Sequence, residues 1–154
     1  MRKIALFAAV AAVAVAAPAS ANEARVEVRG GIAWSAGDEE AILGAAAGYD
    51  FDLGTGAFAG VEVSADKVLV DGSDVTFGFN ARGGAKISGG TKLYAIGGYQ
   101  TKPCDFCGDA WSLGAGVEMP ISNNFYGKVE YRHFFSGDDY YDSNAATVGL
   151  GMTF

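Results

Sequence analysis

The chain has 154 residues, with 11 Lys and Arg against 18 Asp and Glu for a net charge of −7, and it contains 23 Gly, 3 Pro and 2 Cys. Half of the residues are hydrophobic and only 19% are charged, which excludes a charge-rich disordered chain, while Gly at this level argues against a helical bundle. No basic surface is available to neutralise phosphates, so nucleic acid is not expected as a partner.

Met1-Arg2-Lys3 forms a basic start, Ile4 to Ala17 is an apolar run of 14 residues, and Pro18-Ala19-Ser20-Ala21 closes it with small residues. The run is short of the ~18–20 residues that a helical membrane span needs. It predicts a cleavable signal peptide over 1–21 and one domain over 22–154. Cleavage after Ala21 leaves 133 residues and removes Arg2 and Lys3, so nine bases face 18 acids and the mature charge is −9. The compartment reached is oxidising.

Beyond residue 21 the apolar stretches are too short for a helical span, and period-two alternation takes over. Arg25-Val26-Glu27-Val28-Arg29 puts three charges on one face and two valines on the other. Val75, Phe77, Phe79 and Ala81 alternate with polar residues and Gly; so do Val129 and Tyr131 with Lys128, Glu130 and Arg132, and Val148, Leu150, Met152 and Phe154 with Thr147, Gly149, Gly151 and Thr153. Strands are expected at 25–34, 41–51, 57–66, 74–86, 91–101, 110–119, 125–135 and 144–154. Most reach the ~9–11 residues that a tilted strand needs to cross a hydrocarbon layer.

Two kinds of connection separate them. Leu53-Gly54-Thr55-Gly56, Ser88-Gly89-Gly90 and Ser122-Asn123-Asn124 have tight-turn chemistry, whereas longer acidic connections are expected at 35–40, 67–73, 102–109 and 136–143. With Asp74 at their edge, the long connections hold ten acids (Asp38, Glu39, Glu40, Asp71, Asp74, Asp105, Asp109, Asp138, Asp139, Asp142) and two bases (Lys67, Lys102), eight of the nine net charges. An all-β, eight-stranded antiparallel up-and-down barrel puts every long connection at one rim.

Alternation alone does not say which face points inward. Aromatics gather at strand ends: Trp34, Tyr99, Trp111, Phe135, Tyr140 and Tyr141 at the long-connection end, and Tyr49, Phe51, Phe58, Phe125 and Phe154 at the other. Two such girdles, an uncharged apolar face and a last strand that ends in Phe favour a transmembrane barrel over a soluble one.

The signal peptide, the eight strands, Gly97-Gly98-Tyr99, Val129-Glu130-Tyr131-Arg132 and the closing Val148-Gly149-Leu150-Gly151-Met152-Thr153-Phe154 resemble a small bacterial outer-membrane barrel of the opacity-protein/OmpA-like superfamily. The resemblance implies an outer-membrane location after export through the periplasm, lipid and lipopolysaccharide as surroundings, and the barrel-assembly machinery as a partner. It assigns Val148, Leu150, Met152 and Phe154 to the signal read by that machinery. No peptidoglycan-binding domain is implied, and a monomer is expected.

Eight strands leave a lumen just wide enough for side chains. Arg25, Glu27, Arg29, Glu62, Arg82, Glu118, Lys128, Glu130 and Arg132 are expected inside as a paired charge network that plugs it, because an unpaired buried ion costs several kcal/mol. A narrow porin-like pore is the alternative. Glycines such as Gly31, Gly60, Gly78, Gly84, Gly114 and Gly116 are expected to make room for the long side chains.

The acidic clusters Asp38-Glu39-Glu40 and Asp138-Asp139-Asp142 carry the type of oxygen ligand that Ca²⁺ or Mg²⁺ takes, but no calcium-loop spacing is present. They are read as solvated surface groups, and neither metal nor cofactor is expected. Cys104 and Cys107 form a C-x-x-C in a loop and are expected to close a disulfide after export. His133 and Ser136 invite comparison with lipid A-modifying barrel enzymes. Three positions apart on one strand, they should point to opposite faces, and no enzymatic role is expected. The expected function is outer-membrane integrity or surface interaction through acidic extracellular loops, with a surface ligand the sequence does not name.

Overall fold

The computed structural model describes residues 22–54, 56–102, 108–136 and 142–154. The expected signal peptide, the Cys104–Cys107 disulfide, and Asp105, Asp138, Asp139, Tyr140 and Tyr141 lie outside the described residues.

Eight strands close into one antiparallel barrel in chain order: β1 (Glu23–Ser35), β2 (Asp38–Asp52), β3 (Ala57–Val68), β4 (Thr76–Lys86), β5 (Lys92–Gln100), β6 (Ala110–Pro120), β7 (Phe125–Ser136) and β8 (Ser143–Thr153). Each pairs with its sequence neighbour, and β1 pairs with β8 from Arg25↔Thr153 to Trp34↔Asn144. Among the described residues no strand edge remains unpaired, the condition for β-structure in a bilayer.

The side-chain period of two then sorts every strand into an inner and an outer face. The outer face is apolar, with Val28, Leu43, Val61, Val63, Phe79, Leu113, Val129, Val148 and Leu150 all exposed. In a soluble protein this much exposed apolar surface would be a liability; on a barrel wall it is the lipid contact. Aromatic pairs sit on the same face near its ends. Tyr99 packs edge-on against Trp111 at 5.6 Å, Trp34 lies 6.2 Å from Tyr131, and Tyr49 and Phe51 pair at 5.0 Å near the opposite rim.

Two expectations need correction. Asp38, Glu39 and Glu40 belong to no loop: β2 begins at Asp38, and only Ala36 and Gly37 connect it to β1. Both adopt positive φ, 50° and 101°, the geometry of a tight hairpin turn. Backbone pairing with Ala33, Trp34 and Ser35 keeps the three acids on a strand that rises past the aromatic belt, where water solvates the carboxylates.

The other correction concerns Phe58, expected in the lower girdle. It is buried inside the barrel, because it shares the parity of Glu62 four residues on. Its ring lies 5.4 Å from both the Arg82 guanidinium carbon and the Lys92 ammonium, a buried cation–π arrangement.

Candidate functional site

The lumen holds the chemistry. Arg25, Glu27, Arg29, Glu62, Arg82, Glu118, Lys128, Glu130 and Arg132 are all buried there, together with Asp50, Asp66 and Lys92. Among the described residues this makes six buried bases and six buried acids, an electrically balanced interior. Asp50 and Lys92 have the same parity on their strands as Ala46 and Ile96, and Asp66 follows Glu62 by four residues. Extending the alternation to the ends of β2, β3 and β5 would have found all three.

The network has three tiers. At the short-turn end, Lys92 Nζ lies 2.9 Å from Asp50 Oδ2 and 3.1 Å from Glu118 Oε1, and also contacts Glu23. These three carboxylates approach one another closely enough to hold a cation. The Lys92 ammonium occupies that role, so the cluster is a closed ion-pair centre. Arg82 joins the tier, donating from Nε to Asp50 at 2.9 Å and from Nη1 to Glu118 at 2.9 Å.

In the middle tier Arg25 reaches Glu62 at 2.8 Å, while Glu27 contacts Lys128 and accepts a 2.9 Å hydrogen bond from the Tyr126 hydroxyl. The Tyr94 hydroxyl donates to Glu130 at 2.7 Å, and its ring lies 4.9 Å from Arg82. The upper tier is built by Arg29 and Arg132. Arg29 donates from Nε to Asp66 Oδ1 at 2.8 Å and from Nη2 to Oδ2 at 2.6 Å, a two-pronged clamp. Arg132 donates to Glu130 at 2.7 Å, to Glu62 at 2.9 Å and to Asn80 Oδ1 at 3.0 Å.

Glycines make this density possible. A Cβ at Gly48 would lie 2.6 Å from Arg25 Nη2, and one at Gly116 would run into the Tyr94 hydroxyl. At Gly31, Gly84 and Gly114 the first obstacle is different: a Cβ there would strike the backbone of Ala146, Leu93 and Tyr131 on the neighbouring strand, so these three serve the close approach of strands more than the lumen side chains. A void of about 20 Å³ lies among Arg29, Asp66, Glu130 and Arg132, room for roughly one water.

The terminal strand shows why its two faces differ. Val148 and Leu150 point outward and are 62% exposed, and Phe154 is 61% exposed. Inward it offers Gly149 and Gly151, which lie in register with Lys128 and Tyr126 on one side and with Arg29 and Glu27 on the other. Side chains from β1 and β7 therefore meet directly over β8.

His133 and Ser136 fall on opposite faces of β7. His133 lies on the outer wall, 4.6 Å from Phe135, with Nδ1 2.9 Å from Asn144 Oδ1 and Nε2 3.4 Å from Asp142 Oδ2. Ser136 lines the inner mouth of the barrel. Asp142 also accepts the Ser136 backbone N–H at 3.0 Å, fastening the end of β7 to the start of β8.

The sequence profile of the outer membrane protein beta-barrel domain matches residues 5–154. No match to the chain is found among curated proteins. Among solved structures, the fold is similar to Ail, the attachment invasion locus protein of Yersinia pestis, with a TM-score of 0.61 at 13% identity over 86% of this chain and 97% of that one. It is similar to the N-terminal barrel domain of Pseudomonas aeruginosa OprF (TM-score 0.57, 16% identity, 84% and 97% covered). It is also similar to Neisserial surface protein A (TM-score 0.58, 14% identity, 90% and 100% covered). With an apolar outer wall, a closed ring of eight strands and a profile match over nearly its whole length, the chain belongs to the outer membrane protein beta-barrel domain family, a family of the bacterial outer membrane.

Proposed function

We propose that the protein is a sealed outer-membrane barrel that supports envelope integrity and presents an acidic surface for interaction with the cell's surroundings. The observation that carries this reading is the balanced network of twelve buried charges, in which a void near the upper end has room for roughly one water. Such an interior leaves the outer wall and the rim as working surfaces.

At that rim Asp38, Glu39, Asp71, Asp74, Asp109 and Asp142 are exposed. Loops and hairpin tips on a rigid scaffold are where contact with partners concentrates. Lipid and lipopolysaccharide surround the wall, the barrel-assembly machinery reads the β8 surface of Val148, Leu150, Met152 and Phe154, and the barrel works as a monomer. The separation of His133 and Ser136 by the barrel wall supports a non-enzymatic role.

The test is a deletion strain complemented with the wild-type gene or with an Asp38→Asn/Glu39→Gln/Glu40→Gln variant. Deletion should raise sensitivity to detergent or reduce adherence to anion-binding surfaces, and the neutralised hairpin should restore the first but not the second. A deletion strain unchanged in both properties would contradict the reading.

A further inference from the structure

Above the upper ion-pair tier the lumen widens into a vestibule of about 440 Å³ at the long-connection end. Its walls are largely apolar, with Ile42, Val68, Phe134 and Ala145 among them, and its floor is Asp66 and Gln100. The floor is satisfied from below: Asp66 is clamped by Arg29, and the Gln100 amide donates to Asn80 at 2.9 Å. A solute entering from outside thus finds a blind apolar pocket of the size that small ligands occupy.

The mouth has the opposite character. Asp38 lies in register with Ser35, and Glu40 with Ala33, both of which line the vestibule. The Asp142 carbonyl accepts a 2.9 Å hydrogen bond from Ser35 Oγ, while its carboxylate turns to His133 on the outer wall. Asp142 is also bonded to Ser136, another lining residue. The carboxylates of Asp38 and Glu40 therefore stand at the mouth of an apolar pocket whose wall includes the Phe134 ring. Carboxylates at a low-dielectric opening concentrate cations, and an aromatic wall favours a cation over an anion.

We propose that the vestibule is a binding site for small cationic amphiphiles, molecules with an ammonium-type head held at Asp38 and Glu40 and a short apolar tail inserted between Ile42, Val68 and Phe134. Three features fit this ligand together: the blind apolar volume, the acidic mouth and the self-satisfied floor. An anionic amphiphile would meet the carboxylates, and a neutral one would gain only the tail contacts.

The experiment uses the full mature barrel in phosphatidylcholine nanodiscs, titrated calorimetrically with octyltrimethylammonium, octanol or octyl sulfate, with empty nanodiscs subtracted. Octyltrimethylammonium should bind saturably at one site, about tenfold or more tighter than octanol, and octyl sulfate should not bind. Asp38→Asn/Glu40→Gln should weaken the ammonium probe about tenfold and leave octanol unchanged. Ala33→Phe, which fills the vestibule without touching the ion network, should remove both signals. All variants are first shown to be folded by their gel mobility without boiling. Equal affinity for the three probes, ammonium binding that survives Ala33→Phe, or no saturable heat beyond empty nanodiscs would overturn the proposal.

Discussion

Glu27 on β1 and Lys128 on β7 form a buried ion pair although their strands are not neighbours; β8 runs between them. The pair closes over Gly149 and Gly151, whose missing side chains leave the inner face of β8 bare. The first strand is thereby tied to the seventh through the lumen as well as to the eighth through its backbone.

Lys128→Met should lower the unfolding free energy by about 3 kcal/mol, because it leaves Glu27 and Glu130 short of a buried counter-charge. Glu27→Gln should cost a similar amount. The double variant should lose less than the sum of the two, with a coupling on the order of 1–3 kcal/mol. Urea unfolding of the lipid-folded protein, followed by tryptophan fluorescence, gives all four values.

Gly151→Leu should prevent barrel closure, since any Cβ at this position meets the Tyr126 ring. The measurable result is loss of the fast-migrating folded band on unboiled gels. Combining it with Tyr126→Gly should restore the band by removing the obstructing ring.

Val148→Arg, on the exposed outer wall midway along β8, should destabilise the barrel by about 2–4 kcal/mol, as expected for a cation facing hydrocarbon. Asn144→Arg, at the level of Trp34 and the aromatic belt, should cost about 1 kcal/mol or less. Equilibrium unfolding in vesicles compares the two. Equal costs would mean that the apolar band does not lie where the wall places it.

The strand pattern was legible because one physical rule, opposite faces for successive residues, acts on every strand. Arg25, Glu27 and Arg29 announce the inner face of β1 without any tertiary information. The same rule, carried further along β3, leads from Glu62 to Phe58 and Asp66. Reading aromatics near strand ends as girdle residues hid Phe58, whose actual partners, Arg82 and Lys92, come from β4 and β5. Asp38-Glu39-Glu40 reads as a loop because three consecutive acids are poor strand formers. What overrides that local preference is backbone pairing with β1 above the membrane, a tertiary effect. The vestibule was not legible at all, since Ala33, Ile42, Val68, Phe134 and Ala145 come together only when the barrel closes.

Arg132→Ala should open the upper tier, since it removes the side chain that joins Glu130, Glu62 and Asn80 around the small void below Gln100. Its folded barrel should show brief, small current steps, and stability should fall by about 3 kcal/mol.

The most direct test of the sealed lumen is single-channel recording of the purified wild-type barrel in a planar bilayer. The ion-paired interior predicts a flat baseline at moderate voltage, with steps appearing only when Arg132 or another member of the network is removed. Stable, reproducible conductance steps from the wild-type protein would contradict it.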